Sequence, residues 1–356
     1  MAWSIKVTGI EFSLGYHVGW SRSEEIIDHT TILRGLIEAS SMTGNKELIQ
    51  SIITGEISAT ALLPIHVCGE SAKLLVRRPV VPIAPGAKKA LPEWFTLPAI
   101  KTLLNFVEKC VNKQGSPLLS KLFGRSIVYE CRGRTTHETI DSVMLKTIMD
   151  NYIVCADDSD CREVCIKKER YYERIVMNNS RIDRVTGAAD VYRVDGIRAK
   201  SPFWVALASH SESLLEHATE MLKVFGDIGI GGYKSRGFGR FRLMKIKVSE
   251  RDEEVLRSNT SWRKGYAYLL GSYPPYAGQY TGINPELTYG TQRILEGISG
   301  GPYNNYWLPL LRLLDVGSLA YFSSHTNRPF LVITLPRLEG MNYEPAIVFN
   351  PVTLHG

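Results

Sequence analysis

Two strand–helix–strand patterns, separated by a long and less regular stretch, constrain the fold of this chain of 356 residues more than any other feature. In the first pattern, apolar residues alternate with polar ones from Trp3 to Leu14, and the alternation changes parity at Thr8 and Gly9. This change predicts that the first strand shifts its register there. A helix with apolar residues at helical spacing follows in "HTTILRGLIEAS", and an apolar strand follows from Ser58.

The second pattern begins with the strand "SPFWVALASH" (residues 201–210) and continues with a helix from Ser211 that has one apolar stripe. It ends with a basic strand after a glycine-rich loop. Two such units form an antiparallel four-stranded sheet with two helices on one face. We therefore predict an α+β protein with a ferredoxin-like (RRM-like) domain at residues 1–250, a long insertion within it at about residues 77–190, and a smaller C-terminal α+β domain at residues 251–356.

The composition permits a large apolar core and a polyanionic partner. Apolar residues make up 44% of the chain, and 42 basic residues against 36 acidic ones give a formal net charge of +6. The opening "MAWSIKVTGI" lacks the charged start and apolar core of a signal peptide, and no later segment has about 18 uninterrupted apolar residues. We therefore expect a cytoplasmic protein with no membrane partner.

The six cysteines occur without a C-x-x-C pair. Cys155, Cys161 and Cys165 lie close together in "CADDSDCREVC", but their spacing matches no common zinc finger. We expect buried or half-exposed thiols, no metal site and no cofactor, although the sequence leaves metal binding by these three cysteines open. The aspartates of the same stretch lack the glycine and the distal glutamate of a calcium loop, so we expect solvated loop residues.

The stretch "GDIGIGGYKSRGFGRFRLMKIKV" (residues 226–248) combines six glycines with six lysines and arginines. It is neither a P-loop nor a Rossmann turn, because the spacing differs and the stretch runs from a helix to a strand. A flexible connection would explain the glycines but not the cations. Glycines let backbone amides approach a bent phosphodiester chain, and Lys234, Arg236 and Arg240 can neutralise phosphates. Tyr233 or Phe238 can stack on a base, so we predict that the loop binds RNA by its backbone.

The loop "GIGGYKSRGFGRF", directly after an amphipathic helix, resembles the signature loop of the RAMP superfamily, the RNA-binding subunits of CRISPR effector complexes. The segments "SRIDRVTGAADVYRV" (residues 180–194), "GYHVGW", "RRPVVP…KKALPEW" and "DVGSLAYF" resemble parts of the fourth Csm subunit family of type III-A complexes. One segment departs from that family. Where its members usually show Ser-Asp-Thr entering the first helix, this chain has His29, Thr30 and Thr31. We therefore do not assign the contact of the family's aspartate to this chain. Resemblance to a related family, such as the fused type III-D subunit, remains an alternative.

The resemblance implies a non-catalytic subunit that binds the repeat-derived 5′ handle of the guide RNA (crRNA). Its implied partners are that RNA, the large polymerase-like subunit of the complex and a neighbouring backbone RAMP subunit. Part of the insertion, from about Gly115 to Asp190, would form a thumb-like hairpin that presses on the guide where the handle meets the spacer. The residues that we expect at the RNA are Gly231, Gly232, Lys234, Ser235, Arg236, Gly237, Phe238, Gly239, Arg240, Arg181, Arg184 and His17.

Some of these residues have alternative roles. Arg181 and Arg184 could bind phosphate, or they could form ordinary surface ion pairs with Asp183. His17 could contact RNA, but a lone histidine at a strand end is more often structural. In a different class of function, His17 would be the general acid or base of a metal-independent endoribonuclease that processes precursor guide RNA. A third alternative is an RNA-binding module outside any CRISPR complex.

Overall fold

The computed structural model describes residues 3–19, 23–69, 71–85, 87, 91–123, 125–133, 139–148, 152–165, 170–258, 264–275, 282–297, 307–323, 329–335 and 346–356. Within these residues, no helix combines the length and the apolar character needed to cross a membrane. The helices are α1 (His29–Thr43), α2 (Lys46–Ile53), α3 (Leu97–Asn112), α4 (Asp158–Arg162), α5 (Glu212–Ile228) and α6 (Glu250–Ser258). The strands are β1 (Ser4–Phe12), β2 (Ile57–Ala59), β3 (Leu63–Cys68), β4 (Ser71–Arg77), β5 (Trp94–Thr96), β6 (Gly115–Phe123), β7 (Ser126–Gly133), β8 (Thr139–Ile148), β9 (Ile153–Cys155), β10 (Tyr172–Ile182), β11 (Ala189–Ala199), β12 (Phe203–Ser209), β13 (Phe241–Met244), β14 (Gly265–Leu269), β15 (Gln292–Leu295), β16 (Leu311–Leu314), β17 (Leu319–Phe322), β18 (Leu331–Thr334), β19 (Ala346–Phe349) and β20 (Thr353–His355).

Four antiparallel strands form the predicted ferredoxin-like sheet, in the spatial order β13–β1–β12–β3. Helices α1 and α5 pack against one face of this sheet, where their apolar residues share a core with Ile10, Phe203 and Val205. β2 also pairs with β12, so the second strand of the unit is split into two pieces. The second strand–helix–strand pattern thus places the glycine-rich loop between α5 and the edge strand β13.

Capping residues fix where α1 and α5 begin and end. Asp28 accepts a hydrogen bond from the Thr30 amide at the start of α1, and Ser211 accepts one from the Leu214 amide at the start of α5. Gly229 follows α5 with a φ of 89°, a conformation that favours glycine. The chain therefore leaves α5 at a defined point, where the loop begins.

The predicted register change in β1 is wrong. β1 pairs with β12 without interruption. The parity of the apolar residues changes because the two halves of the strand bury opposite faces. Ile5 and Val7 pack against the core that contains α3, whereas Ile10 and Phe12 lie in the core of α1 and α5.

Most of the predicted insertion extends the same sheet, whereas its sequence predicts little regular structure. Beyond β3 the order continues β4–β5–β9–β8–β7–β6, and β5 pairs with β9 in parallel. The one helix predicted there is α3, whose Ile100, Leu103 and Val107 share a buried core with Trp204 of β12. β10 and β11 form a separate two-stranded ladder of eleven residues a side, called here the long hairpin.

The residues after 250 share a core with the rest of the chain. Tyr266 and Tyr268 of β14 are buried with α3 and Trp204 in one apolar cluster, and β14 pairs with β17 and β20. The Asp28 carboxylate accepts hydrogen bonds from the amide and the hydroxyl of Ser272, at 2.9 and 2.7 Å. The domain boundary at residue 250 stays a prediction, and these contacts join its two sides.

Disulfides link four of the six cysteines, so the expectation of thiols is wrong for these four. Cys110 at the end of α3 is bonded to Cys131 of β7, with Cα atoms 5.5 Å apart. Cys155 is bonded to Cys161 in α4. The first pair is 21 positions apart in the chain, and the packing of α3 against the sheet brings it together. Cys165 lies outside these bonds, with its Sγ 3.6 Å from an imidazole nitrogen of the histidine in β3.

The acidic stretch beside Cys155 is not the solvated loop that the sequence predicts. Asp160 is fully buried and lies 3.0 Å from the Nζ atom of Lys73, which is 1% exposed. Asp157 caps α4 and accepts two hydrogen bonds of 2.9 Å from the Arg251 guanidinium, which hold its pKa at about 2. Asp158 keeps its side chain in solvent. Two of the three aspartates therefore serve the packing of α4.

Candidate nucleic-acid interface

The glycine loop (residues 229–240) packs against the segment that follows β1. The Gly232 amide N–H donates to the His17 carbonyl at 2.8 Å, and the Gly239 amide N–H donates to the Gly15 carbonyl at 2.7 Å. These two bonds hold both halves of the loop against residues 13–18, called here the junction segment.

The junction segment also joins the long hairpin. Tyr16 and Ile197 of β11 exchange two main-chain hydrogen bonds, of 2.9 and 2.8 Å. His17 Nδ1 donates to the Asp195 carbonyl at 2.6 Å, and the Asp195 carboxylate accepts a hydrogen bond from the Ser23 amide at 2.7 Å. The glycine loop, the junction segment and β11 therefore lie side by side.

The glycines of the loop have two different roles. A Cβ on Gly231 would lie 2.0 Å from the His17 carbonyl oxygen, and one on Gly239 would lie 1.9 Å from the Ile230 carbonyl oxygen. Both have φ in the left-handed region, at +76° and +78°, so packing within the protein requires glycine. Gly237 has a φ of +83°, but apart from its chain neighbours no described residue has an atom within 4 Å of its Cβ position. The buried Gly239 therefore drops out of the predicted RNA contacts, whereas Gly237 faces open space.

Phe238 is a core residue. Its side chain is fully buried, and a Cβ added to Gly196 of β11 would lie 2.5 Å from its ring. The prediction that Phe238 stacks on a base is therefore wrong, because packing against the long hairpin covers the ring. Tyr233 is the aromatic residue of the loop that can stack. It is 38% exposed, and its φ of +56° is uncommon for a residue other than glycine.

Arg236 links the loop to the long hairpin through aromatic contacts. Its guanidinium carbon lies 4.9 Å from the centre of the Tyr192 ring of β11 and 5.5 Å from that of Tyr233. Its Nη1 atom is buried, and no atom of the described residues accepts a hydrogen bond from it. Buried donors normally have a partner, since an unpaired one costs about 1–3 kcal/mol. Arg236 therefore keeps a buried donor without a partner beside two aromatic rings.

The other two cations of the loop differ in their surroundings. Lys234 Nζ lies 3.6 Å from Glu38 Oε1 of α1, and both side chains are partly exposed. Arg240 is exposed, as are Gly232 and Ser235, and within the described part of the chain its side chain forms no ion pair. The three predicted cations thus border one loop, but Glu38 partly neutralises Lys234.

His17 supports the loop from behind. The residue is 7% exposed, and its ring centre lies 4.9 Å from that of Tyr233, in an edge-to-face arrangement. The hydrogen bond from Nδ1 to the Asp195 carbonyl fixes the orientation of the ring. These contacts favour the structural alternative for His17.

Arg181 and Arg184 do not lie at the glycine loop. The last pair of the long hairpin, at Ile182, is three residues beyond the level of Tyr192, or about 10 Å along the strand. The Asp183 carboxylate accepts hydrogen bonds from the amides three and two residues later, which close the turn and hold its pKa below the ordinary value. Arg184 is exposed in this turn, and the side chain of Arg181 lies outside the described residues. The predicted site residues therefore fall in two places, the loop and the hairpin tip.

A family comparison covers much of this surface. Residues 158–242 match the family model of the RAMP superfamily. The chain therefore carries a RAMP superfamily segment. This RAMP segment runs from α4 through the long hairpin, β12, α5 and the glycine loop into β13, and it confirms the resemblance that the motifs predict. No curated protein matches the sequence.

A solved structure shares the fold beyond the RAMP segment. A chain of the Csm3–Csm4 subcomplex of the type III-A CRISPR-Cas interference complex is similar, with a TM-score of 0.57 and 15% sequence identity over 99% of both chains. A chain of the Csm1–Csm4 cassette in complex with pppApA has a TM-score of 0.41 at 11% identity, over 99% of this chain and 97% of that chain. A chain of the type III-B Cmr-beta complex bound to cognate target RNA and AMPPnP has a TM-score of 0.44 at 10% identity, over 89% and 86%. The first likeness shows that the fold around the RAMP segment is shared over nearly the whole chain.

Sequence reasoning missed two residues at the edge of the glycine loop. Tyr192 in the RAMP segment contacts Arg236, and Glu38 of α1 contacts Lys234. Tyr192 lies in "SRIDRVTGAADVYRV", one of the segments with a family resemblance, so a signal was present. Glu38 has no such signal, because its contact depends on the packing of α1 beside α5.

Proposed function

We propose that the chain is a non-catalytic subunit of a type III CRISPR RNA-guided effector complex and that it binds the repeat-derived 5′ handle of the guide RNA. In this proposal, the handle lies across the glycine loop and the adjoining part of the long hairpin. The chain docks on the large polymerase-like subunit and contacts a neighbouring backbone RAMP subunit. The RAMP segment and the fold shared with a chain of the Csm3–Csm4 subcomplex support this class of function.

The partly exposed Arg236 guanidinium, which forms no ion pair within the described residues, is the observation that carries RNA binding. A phosphate oxygen at the exposed side of this guanidinium would accept a charge-assisted hydrogen bond and balance its charge. Tyr192 and Tyr233 hold the guanidinium in place, so little side-chain freedom is lost on binding.

The groups around Arg236 suit a single RNA strand. The partly exposed Tyr233 offers a ring for base stacking, and Lys234 and Arg240 add positive charge on the same loop. Gly237 leaves open space in which a bent phosphodiester chain can approach the main chain. Such contacts recognise the shape and charge of RNA more than its bases.

The surroundings of His17 support the non-catalytic part of the proposal. A general acid or base must come within hydrogen-bond reach of the substrate. His17 is 7% exposed, and its Nδ1 atom is occupied by the Asp195 carbonyl. Tyr233, which packs against the imidazole ring, is the more exposed of the two side chains. Tyr233 is therefore better placed than His17 to touch RNA.

Co-purification from the native source tests this proposal. We expect a tagged chain to recover a large CRISPR subunit, a backbone RAMP subunit and guide RNAs that share one 5′ end. Recovery of bulk RNA without these proteins would contradict a role in an effector complex and would favour a general RNA-binding module. Metal-independent cleavage of a repeat RNA by the purified chain, abolished in His17→Ala, would contradict the non-catalytic role.

Glu38→Gln should strengthen RNA binding, because Glu38 competes with phosphate for Lys234. The change removes a negative charge 3.6 Å from Lys234 Nζ. Exposed ion pairs contribute about 0.2–1 kcal/mol, so the Kd for a single-stranded oligoribonucleotide should fall by a factor of about 1.4 to 5. Fluorescence anisotropy at fixed salt measures this Kd.

Glu216→Gln is the matched control for this change. It removes the same charge from an exposed position of α5, twelve residues before Ile228 and roughly 18 Å from the glycine loop. The Kd of this variant should stay at the wild-type value. An equal gain in both variants would indicate a general charge effect, and no gain in Glu38→Gln would exclude Lys234 from the RNA surface.

A further inference from the structure

A cavity of about 440 Å³ lies where the segment after β4 meets β6, β7 and the C-terminal residues. It is separate from the glycine loop, since none of its lining residues belongs to that loop. Its apolar walls include Val80, Val81, Leu91, Leu119 and Val316. Mostly apolar cavities of this size, with a few polar groups, are typical of sites that bind small molecules or single planar groups.

One cation at this cavity, Arg78, has no direct side-chain partner in the described protein. Arg77 pairs with Asp315 at 3.0 Å, and a carboxylate oxygen of Glu93 accepts a hydrogen bond from the Tyr172 hydroxyl at 2.7 Å. Within the described residues, the side chain of Arg78 has neither a hydrogen bond nor an ion pair. Arg78 therefore offers free donors at the cavity wall, and the Glu93 carboxylate on the same wall offsets its charge.

Tyr129 adds a second donor to the same cavity. The residue is 1% exposed, and burial raises the pKa of its hydroxyl well above the ordinary value, although the charge of Arg78 opposes this rise. The hydroxyl therefore stays protonated at neutral pH. In the part of the chain that the structure describes, it has no hydrogen-bond partner. A guanidinium and a phenol thus offer donors between apolar walls.

We infer that this cavity receives one unstacked nucleobase of the bound RNA, with Arg78 and Tyr129 donating to acceptors on the edge of the base. The inference rests on the proposed function. A nucleobase has apolar faces that suit the walls and edge acceptors that suit the two donors. An apolar side chain of a partner protein would fill the walls but leave both donors unpaired. The net charge of +6 also favours a polyanionic ligand.

A run of contacts along the base of the long hairpin connects the RNA surface with this cavity. Asp195, which binds the junction segment, pairs with Arg174 at 3.5 Å, and Arg174 pairs with Glu25 at 3.4 Å. The Tyr172 hydroxyl lies 3.0 Å from a carboxylate oxygen of Glu25 and 2.7 Å from one of Glu93 at the cavity. Four side-chain contacts therefore separate Asp195, beside the junction segment, from Glu93 at the cavity.

Single abasic substitutions in a labelled RNA test the inference on the full chain. The probe is an RNA with the 5′ end of the co-purified guide, and its bases are removed one at a time. We expect one position at which loss of the base weakens binding about tenfold. Thr291→Trp places a large side chain at the exposed rim of the cavity. This variant should bind the intact RNA about tenfold more weakly, and the penalty at that position should fall below about twofold.

Two arginine variants complete the test. Arg78→Ala should also reduce the abasic penalty at that position, whereas Arg125→Ala, which removes an exposed arginine directly before β7, should leave it unchanged. A penalty that persists in Thr291→Trp and Arg78→Ala, or the absence of any sensitive position, would overturn the inference. The proposed function would stand if Arg236→Ala still weakened binding, and it would fall with the inference if Arg236→Ala had no effect. Loss of the large subunit from Thr291→Trp, with RNA binding intact, would overturn the inference in favour of a protein ligand.

Discussion

Replacement of Lys234, Arg236 and Arg240 together with alanine should weaken the binding of single-stranded RNA about a hundredfold or more, whatever the RNA sequence. Hydrogen bonds to charged groups contribute about 1.5–3 kcal/mol each, so even two full contacts supply about 3 kcal/mol. Lys234 contributes less, because Glu38 already neutralises part of its charge. Each phosphate contact adds about 0.7 to the log–log dependence of binding on salt, so the slope should fall by about 2. Anisotropy titrations at several salt concentrations measure both quantities.

A second triple variant controls for the change in net charge. Lys6, Lys46 and Lys109 are exposed and lie outside the glycine loop, so their joint replacement with alanine removes the same charge from other surfaces. Its Kd and its salt slope should stay close to the wild-type values. A wild-type salt slope in the loop variant would exclude Lys234, Arg236 and Arg240 from the RNA surface. Equal losses of affinity in both triple variants would indicate a long-range effect of net charge instead.

Arg236 should give the largest loss among the single variants of the loop, and Arg236→Lys should not restore binding. Lysine keeps the charge but lacks the planar group that stacks on Tyr192 and the fork of donors that matches a phosphate. Lys234→Arg, by contrast, keeps the charge at a position where no aromatic ring of the described residues forms a cation–π contact, and it should retain most of the affinity. Full affinity in Arg236→Lys would reduce the role of Arg236 to simple charge.

The order of the elements in the ferredoxin-like unit can be predicted from the sequence, because the apolar residues of each long element repeat at the spacing of a helix or a strand. The apolar stripe after Ser211 and the alternation from Trp3 both correspond to elements in their predicted places. The extension of the sheet is not readable, since β5 and β9 have three residues each, too few to show a period. The parity change in β1 misleads for a related reason, because only the packing of α3 against the sheet explains why Ile5 and Ile10 are buried on opposite faces.

The composition of the glycine loop predicts the kind of surface, but it does not assign each residue. Lys234, Arg236 and Arg240 belong to the loop, and their contact with RNA stays a prediction. Phe238 and Tyr233 are both aromatic, and only contact with a distant strand distinguishes the buried ring from the exposed one. Two further groups likewise come from distant elements. Glu38 of α1 neutralises part of the Lys234 charge, and Tyr192 of β11 contacts the Arg236 guanidinium. Local sequence therefore gives the chemistry of the loop, and tertiary packing decides which groups remain available to RNA.

Gly239→Ala should lower the free energy of unfolding by about 4 kcal/mol or more, whereas Gly237→Ala should lower it by about 1–2 kcal/mol. Both positions have φ near +80°, so both lose the conformational freedom of glycine. The added Cβ of Gly239→Ala would also lie 1.9 Å from the Ile230 carbonyl oxygen, which forces the backbone of the loop to move. Urea unfolding followed by circular dichroism measures the two values.

RNA binding tests Gly237→Ala, the variant that we expect to lose less stability. Gly237→Ala should keep a folded loop yet bind RNA severalfold more weakly, because its Cβ enters the open space that the phosphodiester chain is proposed to use. The loss should be greater in Gly237→Val, whose larger side chain fills more of that space. Equal losses of stability in Gly239→Ala and Gly237→Ala would contradict the packing of Gly239 on Ile230. Wild-type RNA affinity in Gly237→Val would show that the RNA does not approach the loop at this residue, even if Arg236 still holds a phosphate.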